Sequence, residues 1–390
     1  MRDFDSICVV SGSRADFGLL RNVLDEISKQ DDFGFELMVV RGTQITRISQ
    51  DVYIRMSDKS IQDMFESNDY IANSPQEISD MIASVISGCT FEFEKRKPSL
   101  ILVLGDRHEI LGTAIASTLN GIPIAHISGG ERTSGSYDDH FRHAITKMSH
   151  IHFVKEQINR HRVIQLGENP NSVFVVGNLG RDSLKRVKLK SREVLSQEFS
   201  IKFGKKNLMI TYHPETQQSH TNFQGIEELI EALALFPEVT LIFTSPSNDV
   251  GSKEIKQLIS EFVETHPNAY LFDSLGQDNY LSILNICDGL VGNSSSGIYE
   301  APLLGVQSLN IGNRQSGRDF PTSVIHAATN RAEIEEKIRD ILIGGKNSSY
   351  TVEEKTRLTN SASELIVKVL NHMEIKSLIP KRFFDIDSRV

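Results

Sequence analysis

Two kinds of hydrophobic pattern alternate along most of this chain. Short runs rich in β-branched residues, at 6–11, 35–40, 100–104, 123–127, 151–154 and 173–176, have the length of buried strands. Between them the stretches 76–95 and 107–120 repeat apolar positions at helical spacing. A second series follows, with runs at 207–211, 239–244, 269–272, 289–291 and 306–310 and helical segments between. Such alternation is the mark of βαβ units and parallel sheets, so an α/β fold with two doubly wound, Rossmann-like domains is expected. The stretch 41–75 has no readable period.

Between the two series lies GNLGRDSLKRVKLKSREVL, charged and preceded by a Gly-bounded turn, which places the interdomain crossing near residue 178. Beyond residue 350, Val352, Leu358, Ala362, Leu365, Val369 and Leu370 predict one long final helix. The expected division is a first domain over 1–178, joined by the C-terminal helix 362–390, and a second over 179–361. Doubly wound domains that face each other put their strand C-termini on opposite walls of one cleft, and motifs at strand ends then belong to a site.

The length of 390 residues suits two cores of ordinary size. No run of about 20 apolar residues is present, so no membrane span is expected. The opening MRDFDSICVVSGSRADFG has acids where a secretory leader is basic and reads as a first strand. Cys8, Cys89 and Cys287 are widely spaced with no CxxC pair, which points to a reducing, cytoplasmic setting. A net charge of −9 argues against nucleic acid or anionic membrane as partner, so any bound anion must be met by local arginines and helix ends.

The first strand ends in the small-residue turn Ser11-Gly12-Ser13-Arg14, which carries Arg14 into a helix start. It lacks the spacing of GxGxxG and of GxxxxGK[ST], so neither NAD nor ATP is indicated. The run at 100–104 leads to Gly105-Asp106-Arg107-His108-Glu109, in which Asp106 and Glu109 fit a capping box. Glu131 follows Gly129-Gly130 at the next strand end, where a carboxylate has little local structural purpose. Asp138 and Asp139 sit at a helix N-terminus, a position that also suits one of them as an offset to the helix dipole. Several carboxylates in one cleft repel one another and move toward acid/base range, the outline of a proton-transfer site. His140 and His143, three apart on a helix, and His150 and His152, alternating on a strand, invite a metal reading, but with no HExxH and no Cys ligands no metal or other cofactor is expected.

In the second series, His213 ends a strand before Pro214 and points to a phosphate oxygen. Gly292-Asn293-Ser294-Ser295-Ser296-Gly297 then follows a strand and opens a helix, so free N–H groups and hydroxyls make a seat for a diphosphate. Glu300 is placed to accept from ribose hydroxyls, and Arg314 and Arg318 follow the next strand within reach of the same phosphates.

Taken together, SGSRADFGLL, GDRHEI, HISGGE, DDHFRHAITKMSHIHF, TYHPET, NDVGSKE, GNSSSGIYEAP and IGNRQSGR resemble, in order and spacing, the hydrolysing UDP-N-acetylglucosamine 2-epimerases, over residues 6–320. The resemblance implies a GT-B-like fold with a central nucleotide-sugar cleft and a homodimer or dimer of dimers. It also implies a reaction that turns UDP-N-acetylglucosamine and water into N-acetylmannosamine and UDP, without metal or nicotinamide, as the first step of sialic acid biosynthesis. Asp106, Glu131 and Asp138 match the family's catalytic acids, with Asp139 in reserve for the third. His213 is counted with both the catalytic and the UDP-sugar-binding residues. Arg14, Ser294, Ser295 and Arg314 match pyrophosphate contacts and Glu300 a ribose contact, with Ser296, Gly297 and Arg318 beside them. Gly42-Thr43-Gln44-Ile45 departs from the family's Gly-x-His-Leu, and Ser247 from an Asn. Relatives that act on UDP-2,4-diacetamido-2,4,6-trideoxyglucose in legionaminic acid synthesis form the alternative. A GT-B glycosyltransferase and a non-catalytic UDP-sugar binder are the readings from other classes.

Overall fold

In the first sheet, strands β1 (Ser6–Ser11), β2 (Gly34–Arg41), β3 (Gln44–Ser49), β4 (Leu100–Leu104), β5 (Ile124–Ile127), β6 (Ile151–Val154) and β7 (Val173–Val175) lie in the order β3-β2-β1-β4-β5-β6-β7. All pairs are parallel except β2 with the edge strand β3. This is a computed structural model, and it describes residues 6–386 apart from 32, 42–43, 57, 65–73, 134–135, 216–222, 247–249, 319 and 345–360. Both faces of the sheet are covered, which is why its strands read as unbroken apolar runs. Ile7 and Val9 enter a core with helices α1 (Arg14–Ile27) and α8 (Leu179–Arg186), while Cys8 and Val10 enter one with α4 (Pro75–Arg96) and α5 (His108–Leu119). Helices α2 (Gln50–Arg55) and α3 (Asp58–Asp63) follow β3, and α6 (Asp138–Met148) and α7 (Gln157–Gln165) follow β5 and β6.

The second sheet is wholly parallel, in the order β10-β9-β8-β11-β12-β13. Its strands are β8 (Asn207–Thr211), β9 (Thr240–Thr244), β10 (Ala269–Phe272), β11 (Gly289–Gly292), β12 (Gln307–Ile311) and β13 (Val324–Ala327). Helices α9 (Arg192–Phe199), α10 (Gln224–Leu233), α11 (Ser252–Thr265), α12 (Gln277–Ile286), the single-turn α13 (Ser296–Tyr299) and α14 (Arg331–Gly344) complete it.

Strands β3 and β13 escape the hydrophobic pattern. The first is an edge strand with only Ile48 buried, and the second is interrupted by the exposed His326. The crossing expected near 178 lies further on. Leu179 is still part of the first core, whereas Leu195 belongs to the second, so the chain leaves the first core after α8. The final helix, α15, spans Ala362–His372, shorter than the 362–390 expected, and Val352 and Leu358 lie outside the described residues. Ala362, Ile366, Val367 and Leu370 of α15 are buried in the first core against α1 and α8.

What anchors α15 is a buried carboxylate. Asp182 accepts from the Ala362 and Ser363 amides at 3.2 and 2.7 Å and from the Ser361 and Ser363 hydroxyls, both at 2.9 Å. Asp182 thus caps a helix that lies 180 residues away in sequence. Asp182→Ala strands these donors and should lower the stability of the first domain by about 2–4 kcal/mol. Urea denaturation together with proteolysis at the α15 junction measures this; an unchanged midpoint would refute the anchoring role.

Candidate active site

The wall of the site in the first domain is built on three loops that one guanidinium ties together. Arg142 of α6 is 2% exposed and donates to the Asp106 carboxylate after β4. It also donates to the Glu131 carbonyl at 3.0 Å, the Thr133 hydroxyl at 2.9 Å and the Asp139 carboxylate at 3.0 Å. Burial disfavours its charge, but Asp106, Glu131 and Asp139 outweigh this and hold it cationic.

The capping box expected at Asp106 and Glu109 does not form. The α5 N-cap is Arg107 without a side-chain bond, and Arg107 instead donates to both Glu109 oxygens at 3.2 Å. Asp106 is turned to Arg142, since a charged partner outcompetes one amide. Beside them sits Asp16 of α1, for which no role was expected. Burial pushes its carboxyl up to about 7, with Arg107 and Ser13 opposing and Glu109 and Asp106 adding to the rise.

Glu131 is aimed by the turn before it. Gly130 has φ +75°, and a Cβ there would lie 2.4 Å from the Asn159 carbonyl of α7, so only glycine fits. The Glu131 carboxylate accepts from the Tyr299 hydroxyl at 2.7 Å and stands 3.7 Å from Arg318, both in the second domain. Burial disfavours its charge, yet Lys155, Arg318, Arg142 and the Tyr299 bond hold it below the usual carboxylate range.

The paired acids divide. Asp138 accepts from the Ser136 hydroxyl at 2.8 Å. Asp139 accepts from the Thr133 amide at 2.5 Å and lies 3.7 Å from His143. Against burial, His143, that amide and Arg142 bring Asp139 down to about 2, so it is a fixed anion that positions its neighbours. Two of the histidines are held in structural contacts: His150 accepts from the Ile124 amide at 3.2 Å and His152 meets Glu168 at 3.0 Å. Among the described residues no group of three or more His, Cys, Asp or Glu side chains could hold a metal ion.

The facing wall has a neutral hub. Asn293, fully buried after β11, accepts from the His213 amide at 2.7 Å and donates to its carbonyl at 2.8 Å, while Arg314 and Gln315 donate to the Asn293 carbonyl. His213, Ser294 and Arg314 are thereby brought together from three loops. Gly292 before the hub has φ +137°, and a Cβ would lie 2.0 Å from the Thr211 carbonyl, so the β11 turn also demands glycine. Ser294 accepts from the Ser296 amide at 3.3 Å, and Ser296 accepts from the Tyr280 hydroxyl at 2.7 Å. Ser295 is the N-cap of α13 and Gly297 packs on Ser308. The amides of Gly297 and Ile298, expected to be free for an anion, bond instead to the Ser294 and Ser295 carbonyls at 3.1 and 2.9 Å, because the turn closes on itself as a tight single turn.

Arg318 is not held beside Arg314. It donates to the Tyr299 hydroxyl at 2.9 Å and the Thr133 hydroxyl at 3.0 Å, and so joins the carboxylate cluster. Arg14 faces the second domain, where its charge acts on Asp273. Glu300 points its carboxylate at Gly180 of α8, and burial, opposed by Ser296 and Lys155, pushes it up to about 6. Gly42, Thr43 and Ser247 lie outside the described residues, and Gln44 and Ile45 pair with Arg41 and Val40 as β3 folds back on β2. A cavity of about 560 Å³ beside Glu215, Phe223 and Asn310 lies in the second domain, apart from the carboxylates.

Two doubly wound domains with acids at the strand ends of one and hydrogen-bond donors at those of the other define an α/β protein with a ligand cleft between its domains. The family model described as UDP-N-acetylglucosamine 2-epimerase matches residues 30–371. The chain is 33% identical to the Campylobacter jejuni GDP/UDP-N,N'-diacetylbacillosamine 2-epimerase (hydrolyzing), over 83% of this chain and 84% of that one. It is 34% identical to the polysialic acid biosynthesis protein P7 of Escherichia coli, over 82% and 81%. In fold it is similar to the Methanocaldococcus jannaschii UDP-GlcNAc 2-epimerase solved with UDP-GlcNAc and UDP, with TM-score 0.73 and 16% identity over 94% of this chain and all of that one. The fold is GT-B-like, and the chain belongs to the UDP-N-acetylglucosamine 2-epimerase family.

The raised Glu300 carboxyl gives a pH test. Its folded value of about 6 exceeds the ordinary 4.5, so the fold favours the protonated form and loses stability as pH rises from 4.5 through 6. Glu300→Gln has no such loss, and its stability relative to the native chain should rise by about 1–2 kcal/mol across that window. Denaturation of both at pH 4.5 and 7 reads the difference, and a pH-independent offset would overturn it.

Proposed function

We propose that the protein is a hydrolysing UDP-N-acetylglucosamine 2-epimerase that releases N-acetylmannosamine and UDP. The observation that carries this reading is Glu131. It is an ionised carboxylate of one domain, bonded to Tyr299 and flanked by Arg318 of the other, next to Asp106 on Arg142. A site that takes a proton from one side of a sugar carbon and returns one to the other needs two carboxyls on a rigid frame. In the proposed sequence a carboxylate removes the C2 proton while the C1–O bond breaks and its electron pair leaves with UDP. The bound 2-acetamidoglucal then takes the water oxygen at C1 and a proton at the opposite face of C2. Glu131 and Asp106 are the proposed pair, and Asp138 stands at the same edge.

His213, Ser294, Ser295 and Arg314 are proposed to hold the pyrophosphate, with Arg14 closing from the first domain, Ser296 and Gly297 shaping the turn and Glu300 taking the ribose. Bonds to the departing diphosphate strengthen as its charge grows, so these groups act on turnover as well as binding. Three buried free thiols suit a cytoplasmic enzyme. Exposed Val52, Ile54 and Phe91 of the first domain offer apolar surface for a homodimer or dimer of dimers.

An NMR time course in D2O with UDP-N-acetylglucosamine should yield free N-acetylmannosamine deuterated at C2, together with UDP. Glu131→Gln should lower kcat by about 10²- to 10⁴-fold. Product from UDP-2,4-diacetamido-2,4,6-trideoxyglucose alone would move the substrate to that sugar, as in legionaminic acid synthesis. Absence of free sugar from both would overturn the hydrolysing assignment.

A further inference from the structure

Lys155 follows β6 directly, at the strand's C-terminal end and partly buried. Its ammonium sits 3.4 Å from the centroid of the Tyr299 ring, which comes from the other domain. At that distance the ring face attracts a cation, and more strongly where water is excluded. The same tyrosine donates its hydroxyl to Glu131 at 2.7 Å and accepts from Arg318 at 2.9 Å. Tyr299 is therefore held on its face by one cation and at its hydroxyl by another, while its proton is aimed at the carboxylate.

We infer that Lys155 is a positioning residue of the carboxylate site: it clamps Tyr299 of the facing domain against Glu131 and supplies the positive charge that balances that carboxylate. The inference rests on the functional reading above and assigns a role to a side chain outside the matched motifs. The charges that face Glu131 are Lys155, Arg318 and Arg142, with the Tyr299 hydroxyl beside them, and Lys155 is the strongest of the three cations. Lys155 in turn faces Glu131, Glu156, Arg318 and Arg181, and also acts on Glu300. Burial and the two arginines draw its own pKa down, and the two acids oppose this. An ammonium kept here despite neighbouring guanidiniums needs a compensating anion, and Glu131 is the one across the tyrosine ring.

The sign of the effect is fixed. Loss of the Lys155 charge removes stabilisation of the Glu131 carboxylate, so the carboxyl must titrate at higher pH. The test follows the Glu131 side-chain carboxyl by ¹³C NMR in protein labelled at glutamate Cδ, with the resonance assigned by its loss in Glu131→Gln. Lys155→Met should move the midpoint up by about half a unit or more, and Lys155→Arg, which keeps the charge, should leave it near the native value. In turnover, Lys155→Met should shift the acid limb of the kcat profile in the same direction by a similar amount. A midpoint unmoved in Lys155→Met, or moved equally in Lys155→Arg, would overturn the inference. If Lys155→Met does not fold, Lys155→Gln replaces it in the same titration. The two readings fail separately: a native protein that releases no free sugar sinks the epimerase proposal, while the carboxyl titration still decides the role of Lys155.

Discussion

The buried guanidinium of Arg142 is the interaction on which the site depends. Three chain segments, after β4, after β5 and at the start of α6, bring carboxylates to one sheet edge, where like charges in a low dielectric repel strongly. One cation that donates to Asp106, Asp139, Thr133 and the Glu131 carbonyl turns that repulsion into a fixed arrangement. A buried ion pair adds little net stability against an apolar substitute, but breaking one by removing a single partner is costly, so the network specifies geometry more than it adds stability. The Thr133 hydroxyl carries the network across the cleft, because it accepts from Arg142 of its own domain and from Arg318 of the other.

The two walls solve different electrostatic problems. The first must keep several acids close together with distinct proton affinities. It does so with environment: Asp139 is driven down to about 2 by His143, an amide and a guanidinium, while Asp16 is raised to about 7 by burial. The second must present donors to an anion without filling the space with charge. A neutral amide, Asn293, does the organising there, and only Arg314 brings a guanidinium to the hub. Glycines at 130 and 292 let backbone turns pass within contact of a neighbouring carbonyl, so each wall is rigid at the point where its functional side chain departs.

Much of this was legible in the sequence because it is periodic or local. Strands covered on both faces show as apolar runs, and strand ends in α/β sheets place the motifs that follow them at one edge. Edge strand β3 and β13 were hidden because one is mostly polar and the other is interrupted by the exposed His326. The capping-box pattern at Asp106 and Glu109 misled for a physical reason. Local sequence offers a cap, but a guanidinium 36 residues away binds Asp106 more strongly than an amide would.

What the sequence determined by itself was the pair of parallel sheets, the carboxylates and small-residue turns at their strand ends, and the family to which those motifs belong. These follow from spacing along the chain, which the sequence states directly. What only the tertiary structure decided was which charges meet: Arg142 with Asp106, Arg318 and Tyr299 with Glu131, Lys155 on the Tyr299 ring, and Asp182 under the final helix. The partners in most of these contacts lie more than a hundred residues apart, and electrostatic pairing depends on distance through space and on burial, neither of which linear order contains.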